Sequence, residues 1–558
     1  MYALADDFGW AAAGWHAAAP EASTPTLDAL AAEGVELDRM YSYKFCSPSR
    51  SAMQSGRSPI HVNVQNLDPV YANADDPVAG FAGIPRNMTG LGAVMAGAGY
   101  QTHFVGKWDV GMATPDHTPQ GRGYGTSLAY FHHLNDYFTQ QVFDTANSEG
   151  LSECGAVRPV DLWDGAAPAR GRNGSTPRCA GGQQEYCFTT DDTPATAYRE
   201  CPPHPVAEGG CAYEDAVFEE RVLEIVRDHD TAGPPLFLFW ALHATHAPLE
   251  VPRAYMEQFR GVATDDWRRQ RYVAMARSVD DRIANVTALL QARGMWENTL
   301  LVFTSDNGGP IYRNGSVGAS NYPLRGGKAS NWEGGVRVSA LAAGGAIPAP
   351  ARGRRLDGLA TLWDWYGTFA RLAGVDPRDA RAAAAGLPPV DSVDLWPWLS
   401  GAAAASPRDE VPLGSSSCVV PAPGCINEWG AAPSATVVNG LIRREPDGGG
   451  LWKLLVGPVP MNGWQGPRFP NASTTGWAAE ASIHHCEPAC LFELDADPTE
   501  HVDLAKSAAQ GARVRAMLAR LRAHNATVFS PVRGAPDLRG ACRAATATYG
   551  GFWGPWIQ

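Results

Sequence analysis

Four short apolar runs in this chain each stop on a polar cluster, and that recurrence limits the folds open to it. From Tyr2 to Ala5 the run ends in Asp6-Asp7. From Thr102 to Val105 it delivers Gly106-Lys107-Trp108, and from Leu236 to Leu242 it delivers His243 and His246. From Thr299 to Thr304 it delivers Ser305-Asp306-Asn307-Gly308-Gly309. Helical patterns lie between them. Thr24 and Pro25 read as cap and first turn of a helix through Ala32 that Gly34 stops. Thr89 to Ala98 is closed by Gly99, and Glu214 to Asp230 and Trp267 to about Ala292 follow. The alternation predicts an α/β fold, a large mostly parallel sheet sandwiched by helices. In such sheets ligands bind beyond the carboxyl ends of the strands, so the polar clusters are predicted to meet there. A further strand is expected from Val336 to Ala342 and a helix from Leu356 to Leu372.

A strand-like run from Val35 leads to Phe45-Cys46-Ser47-Pro48-Ser49-Arg50-Ser51, and the residues to Ser55 read as a helix ending at Gly56. Pro48 suits the first turn, where its missing N–H costs nothing. Cys46 then stands at the helix N-terminus, where free N–H groups and the dipole favour an anion, and Arg50 one turn on faces the same point. Taken alone, a cysteine so placed also reads as a buried or disulfide-bonded residue.

Asp6, Asp7, Asp306 and Asn307 offer only oxygen ligands, a set that suits Ca²⁺ or Mg²⁺ better than zinc. Either pair alone is also ordinary turn chemistry; together at one sheet edge they favour a metal. Arg50, Lys107, His246 and Lys328 are the candidate anion clamp. Lys107 and His246 sit in the motifs given above, and Lys328 closes Asn321-Tyr322-Pro323-Leu324-Arg325-Gly326-Gly327-Lys328.

With 558 residues the chain exceeds what one core usually supports. Two domains are expected: residues 1–400 as the α/β unit and 411–558 as a smaller α+β unit, joined by an Ala-, Pro- and Arg-rich crossing at 375–410. Residues 144–212, rich in Cys, Gly, Pro and Arg, are read as a disulfide-tied insertion near the site rim. In the second unit Leu441-Ile442 and Leu451 to Val456 flank Gly448-Gly449-Gly450, a hairpin signal, and residues 502–523 read as a basic amphipathic helix. The formal charge of −13 argues against a nucleic-acid partner, yet a small anionic substrate fits, because a pocket can be cationic on an acidic protein. No apolar run reaches the roughly 18 residues that span a bilayer.

Setting Cys46 aside from the 11 cysteines leaves ten, with no Cys-x-x-Cys pair. Asn-x-Ser/Thr sequences occur at Asn87, Asn173, Asn285, Asn314, Asn471 and Asn525. Together they point to the secretory route, whether extracellular, cell-surface or lysosome-like. No signal peptide precedes Tyr2, so the sequence reads as truncated at its start.

The full Cys-x-Pro-x-Arg pattern at 46–50, followed by Ser-x-x-x-Ser-Gly-Arg at 51–57, resembles the signature of the type I sulfatases. The Lys328 motif continues through Ala329-Ser330-Asn331-Trp332-Glu333-Gly334-Gly335-Val336-Arg337. This stretch, the segment from Leu491 to Glu500 and the closing Trp553-Gly554-Pro555-Trp556 are similar to the arylsulfatase B group of that family. The resemblance implies an alkaline-phosphatase-like fold and hydrolysis of sulfate esters, on an aryl or a saccharide carrier. It implies that a formylglycine-generating enzyme converts Cys46 to formylglycine, an aldehyde whose hydrate supplies an oxygen nucleophile. It also implies one Ca²⁺ bound by Asp6, Asp7, modified Cys46, Asp306 and Asn307, and sulfate held by Arg50, Lys107, His246 and Lys328. A thiol would be a poor partner for Ca²⁺, which gives the modification a physical purpose.

One position departs from the family pattern. Where the family usually has Gly-Lys-Trp-His, with the His helping to break down the sulfated intermediate, this chain has Asp109. A carboxylate can accept the same proton, and a neighbouring sulfate is expected to raise its pKa. The other reading gives Asp109 a structural role, with catalysis impaired. His117, His132 and His133 lie downstream as further candidates. The rival functions are a phosphoester or phosphonate hydrolase of the same superfamily and a sulfated-glycan-binding protein that has lost its chemistry.

Overall fold

The computed structural model describes residues 1–17, 21–142, 154, 158–172, 213–259, 261–262, 267–311, 318–414, 438–446, 448–467, 483–529 and 531–557. One sheet of ten strands runs through it. These are β1 Tyr2–Ala5, β2 Val35–Leu37, β3 Gln101–Lys107, β4 Thr126–Tyr130, β5 Trp163–Asp164, β6 Ala167–Pro168, β7 Leu236–Ala241, β8 Leu301–Ser305, β9 Ala340–Ala343 and β10 Arg354–Leu356. Their order is β10-β2-β9-β8-β1-β7-β3-β4-β5-β6. The middle strands β8-β1-β7-β3-β4 are parallel. Antiparallel pairings of β9 on one side and of β5 and β6 on the other flank them, so the sheet is parallel at its centre and mixed overall.

Helices α1 Pro25–Glu33, α2 Cys46–Ser55, α3 Leu91–Gly97, α4 Glu214–Asp228, α5 Trp267–Ala292 and α6 Asp364–Leu372 cover both faces. The pleat divides each strand between them. Tyr2, Leu4, Phe104, Phe239 and Val302 pack with Met53 of α2, Leu91 of α3 and Phe369 of α6. Ala3, Val105, Leu238, Trp240 and Phe303 pack with Leu27 of α1, Val222 of α4 and Ile283 of α5. A strand buried on both faces has no polar alternation, which is why β7 reads Leu-Phe-Leu-Phe-Trp-Ala.

Three sequence expectations are corrected. The predicted helix from Leu356 to Leu372 begins only at Asp364. Leu356 pairs with Leu37 at the end of β10, and Ala360–Thr361 pairs with Met40–Tyr41. Asp364 fixes that boundary by accepting the Thr361 N–H at 2.9 Å and pairing with Arg408. The strand expected from Val336 to Ala342 divides around Ser339. Arg337–Val338 joins Met40–Tyr41, whereas Ala340–Ala343 joins the large sheet. The helix expected over 502–523 is α7 Gly511–Asn525. Upstream of it the side chains of Asp497 and Asp503 take the backbone N–H groups of Val502 and Ala505, which favours turns over helix.

A second sheet is antiparallel: β11 Glu410–Leu413, β12 Gly440–Arg444, β13 Leu451–Val459 and β14 His484–Glu493, in that order. The β12–β13 pair is the hairpin expected around Gly448-Gly449-Gly450. Helix α7 lays Val514, Met517 and Leu521 against Leu441, Leu454 and Leu491. The chain then returns to the large sheet, where Trp553 joins the core of Tyr2 and Trp365. Most of the expected insertion at 144–212 lies outside the described residues. Its described part adds β5 and β6, and Cys154 is disulfide-bonded to Cys542. Cys486 pairs with Cys490, and Cys46 is free and buried. Cys179, Cys187, Cys201, Cys211, Cys418, Cys425, Asn173, Asn314 and Asn471 lie outside the described residues. Among those described, no helix is long and apolar enough to cross a membrane.

Candidate active site

The carboxyl ends of β1, β8, β3 and β7 meet as predicted, and α2 closes over them. Lys107 Nζ donates to Asp6 Oδ2 at 2.7 Å. Arg50 lies along Asp306, with Nε and Nη2 at 2.9 and 2.8 Å from Oδ2, and its Nη2 is 3.4 Å from Asp6 Oδ2. Lys328 Nζ is 2.7 Å from Asp7 Oδ1, 3.3 Å from Cys46 Sγ and 3.2 Å from His246 Nε2. Cys46 Sγ is 3.6 Å from Asp6 Oδ1. His246 Nδ1 donates to its neighbour's carbonyl, Ala247 O, at 2.7 Å, which leaves Nε2 as the lone-pair atom facing Lys328. Every one of these side chains is buried.

The cage has the chemistry of a cation site. One ligand atom each from Asp6, Asp7, Cys46 and His246 lies within 4.8 Å of the others. Asn307 donates its amide N–H groups to Asp7 Oδ1 at 2.6 Å and to Gly308 O at 2.9 Å. That leaves Asn307 Oδ1 buried and accepting no hydrogen bond among the described residues, as a ligand oxygen requires. Burial and the nearby Asp6 push the Asp306 carboxyl above its usual range, against Arg50, Lys107 and Lys328. A divalent ion would relieve that repulsion. The carboxylates of Asp6, Asp7 and Asp306 balance the charges of Arg50, Lys107 and Lys328, so a bound divalent ion leaves a positive cavity suited to an anion. Asp6, Asp7, Asp306 and Asn307 therefore fit a hard cation, whereas the Cys46 thiol as encoded does not.

Cys46 is poorly suited to act as encoded. Burial raises its thiol pKa well above the ordinary value and outweighs the opposing pull of Lys107 and Lys328. A protonated thiol is neither nucleophile nor ligand.

The rise in pKa expected for Asp109 is the effect of a neighbouring sulfate; the protein's own groups act against it. Burial raises the carboxyl pKa, but His133 and Lys107 overcome it and hold the group well below its usual range. Asp109 Oδ1 is 2.9 Å from His133 Nδ1 and accepts from Ser47 Oγ at 2.6 Å. His132 and His133 follow β4, the parallel neighbour of β3, so two adjacent histidines at that strand end were the available signal. His117 lies elsewhere; its carbonyl accepts the Trp108 indole N–H at 2.7 Å. His243 sits behind the cage, 2.6 Å from Glu214 Oε2 and stacked on Tyr137. Tyr272, unremarked in the sequence, donates its hydroxyl to Asp7 O and accepts the Gly9 N–H, each at 2.8 Å.

The loop carrying Lys328 is held by the second sheet. Trp332 Nε1 donates to Pro460 O, Gly326 N to Gly463 O, and Arg325 stacks between Trp332 and Trp464. Beneath it Lys453 of β13 lies 3.0 Å from Glu333 Oε1 and 2.9 Å from Glu500 Oε1, with all three side chains inaccessible to solvent.

The Sulfatase family model matches residues 1–375, a stretch that includes every group of the cage, and the chain belongs to that family of sulfuric ester hydrolases. Arylsulfatase J of Mus musculus is 31% identical over 568 residues, covering 100% of this chain and 80% of that protein. N-acetylgalactosamine-6-sulfatase of Canis lupus familiaris is 30% identical over 407 residues, covering 71% of this chain and 65% of that protein's length. Among solved structures, Ps i-CgsB in complex with k-i-k-neocarrahexaose matches with a TM-score of 0.66 at 22% identity, over 98% of this chain and 97% of that one. At that identity the likeness speaks for the fold. The expected alkaline-phosphatase-like architecture with a smaller C-terminal sheet is borne out.

Proposed function

We propose that this sulfatase cleaves the sulfate ester of a saccharide or aryl alcohol at the cage around residue 46, after Cys46 has been oxidised to formylglycine by a formylglycine-generating enzyme. The observation that carries the reading is the position of Cys46, against Asp6 and Lys328 in a cage of buried carboxylates and cations. Its protonated thiol argues that another atom does the chemistry. Asp6, Asp7, Asp306, Asn307 and modified residue 46 would hold Ca²⁺, an assignment supported by the oxygen donors of the first four and by Asn307 Oδ1, which has no hydrogen-bond partner among the described residues. When present, the ion and the modified side chain supply Lewis acidity and an oxygen nucleophile.

The chain's own groups divide the remaining work. Lys107 and Arg50 offset charge on the sulfuryl oxygens, and Arg50 also aligns Asp306. Lys328 and His246, 3.2 Å apart, hold a proton where the leaving alkoxide or phenoxide departs. Asp109, whose Oδ2 is 3.6 Å from Lys107 Nζ, receives the proton released as sulfate leaves. Residues 1–400 carry this chemistry, and residues 411–558 brace the Lys328 loop. The disulfides and Asn-x-Ser/Thr sequences support a secretory-route location.

The test joins two measurements: the intact-peptide mass across residue 46, and sulfate release from aryl sulfates and a panel of sulfated saccharides. Conversion of Cys46, sulfate release and loss of both in Cys46→Ala are expected. An equally active Cys46→Ala protein overturns the nucleophile. Preference for aryl phosphate over aryl sulfate would favour the phosphoester reading, and binding of sulfated sugar without release would favour a non-catalytic one.

A further inference from the structure

We propose that Asp109 and His133 act as one proton-exchanging unit beside residue 46, with Asp109 Oδ2 as the atom that takes the proton and His133 as its positioning residue; this rests on the sulfatase reading above. The two oxygens of Asp109 are not equivalent. Oδ1 is occupied by His133 Nδ1 at 2.9 Å and by the Ser47 hydroxyl at 2.6 Å. Ser47 directly follows residue 46 on α2, so this bond fixes the carboxylate relative to the reacting side chain. Oδ2 is buried, accepts no hydrogen bond among the described residues and lies 3.6 Å from Lys107 Nζ. Lys107 in turn donates to Asp6 at 2.7 Å. The free lone pairs of Asp109 are thus on the cage side, and His133 lies behind. Asp109 has φ 53° and Asp7, also in the cage, φ 56°, each in the left-handed region that non-glycine residues rarely adopt.

The groups facing His133 explain how the unit works. They are Asp109 and Lys107 at the end of β3, the adjacent His132, and Asp68, whose Oδ1 is 3.4 Å from Nε2 of His133. Burial lowers the imidazole pKa, but Asp109 and Asp68 more than reverse this. The pair therefore shares one proton, and the form that has lost it can accept another. The step balances as follows. The O–H bond of the remaining hydroxyl on sulfated residue 46 breaks and its proton goes to Asp109 Oδ2. The electron pair left on oxygen becomes the C=O bond, and the C–O bond to sulfate breaks with its electrons on the departing sulfate. Where the family pattern has an imidazole after Gly-Lys-Trp, this chain has a carboxylate with an imidazole 2.9 Å behind it.

The experiment uses calcium-loaded, formylglycine-bearing protein with an aryl sulfate. Asp109→Asn and His133→Gln should each lower kcat, by about 10²–10⁴ for the first, with KM little changed. Each should release one rapid equivalent of phenol before slow turnover, and peptide mass should show residue 46 accumulating as its sulfate ester. Asp109→His in the His133→Gln background should recover kcat, because it returns an imidazole to position 109; a purely structural His133 predicts no recovery. NMR titration of the His133 ring needs no turnover: its pKa should be raised in the native protein and fall in Asp109→Asn. A His133→Gln protein with native kcat and pH profile, or a ring that titrates alike in both proteins, overturns the proposal. Absence of sulfate release by the native protein overturns the functional reading instead, and the ring titration still decides whether the pair exists.

Discussion

Replacing Lys453 by Met tests how the second sheet supports the active site. The ammonium is shared between Glu333 and Glu500 at 3.0 and 2.9 Å, and no water reaches any of the three. Burial, together with Glu333, pushes the Glu500 carboxyl up to about 7 even with Lys453 in place. Lys453→Met keeps much of the volume but takes the ammonium from Glu500 and leaves Glu333 only the more distant Arg337, 3.7 Å from its Oε2. Removing one member of a buried ion pair costs about 3–5 kcal/mol. The variant reduces that cost by binding a proton, so its Glu500 pKa rises further. The sign follows from linkage: a group whose folded pKa is raised stabilises fully below its unfolded value and loses that contribution as pH climbs through the folded value. Native stability from Glu500 is lost by about pH 7, whereas the variant goes on losing it above that. Thermal unfolding at about pH 6 and about pH 9 should show a larger deficit at the higher pH. Because Glu333 belongs to the Lys328 loop, kcat should fall as well. A deficit that is constant or shrinks with pH would refute the reasoning, since the carboxylates would then not be the groups left in distress.

Gly106→Ala should be among the most damaging single-methyl additions: a Cβ there would lie 1.7 Å from Ala241 O, at φ +109. A loss of about 3 kcal/mol or more is expected in chemical or thermal unfolding, and near-native stability would mean that β3 and β7 separate easily. Chelation should abolish sulfate release and also lower the melting temperature, by the equivalent of about 2.7 kcal/mol when free Ca²⁺ had been 100 times its dissociation constant. Unchanged melting with and without Ca²⁺ would count against the assigned ligands.

The cage was legible because each of its groups ends an apolar run or sits in a local motif. Asp6, Lys107, His246 and Asp306 could be placed at one edge before any coordinates, since parallel strands deliver their carboxyl ends together. Helix α5 matched its period from Trp267 to Ala292 because nothing interrupts it. What escaped depends on pairing through space. His133 reaches Asp109 only because β4 is hydrogen-bonded beside β3, and its lowering of the Asp109 pKa could not be read without that pairing. The run from Leu356 to Thr361 is equally apolar as helix or strand, and only its registers with Val35–Leu37 and Met40–Tyr41 decide.

The depth of Cys46 sets an order of events in biosynthesis. Its side chain is 1% exposed, roofed by a lysine from a loop some 280 residues later in the chain, and that loop is itself clamped by strands made later still. A second enzyme has no route to this atom once the layers have closed. If residue 46 is altered as proposed, the alteration belongs to the stage when the amino-terminal portion is still an open strand of polypeptide.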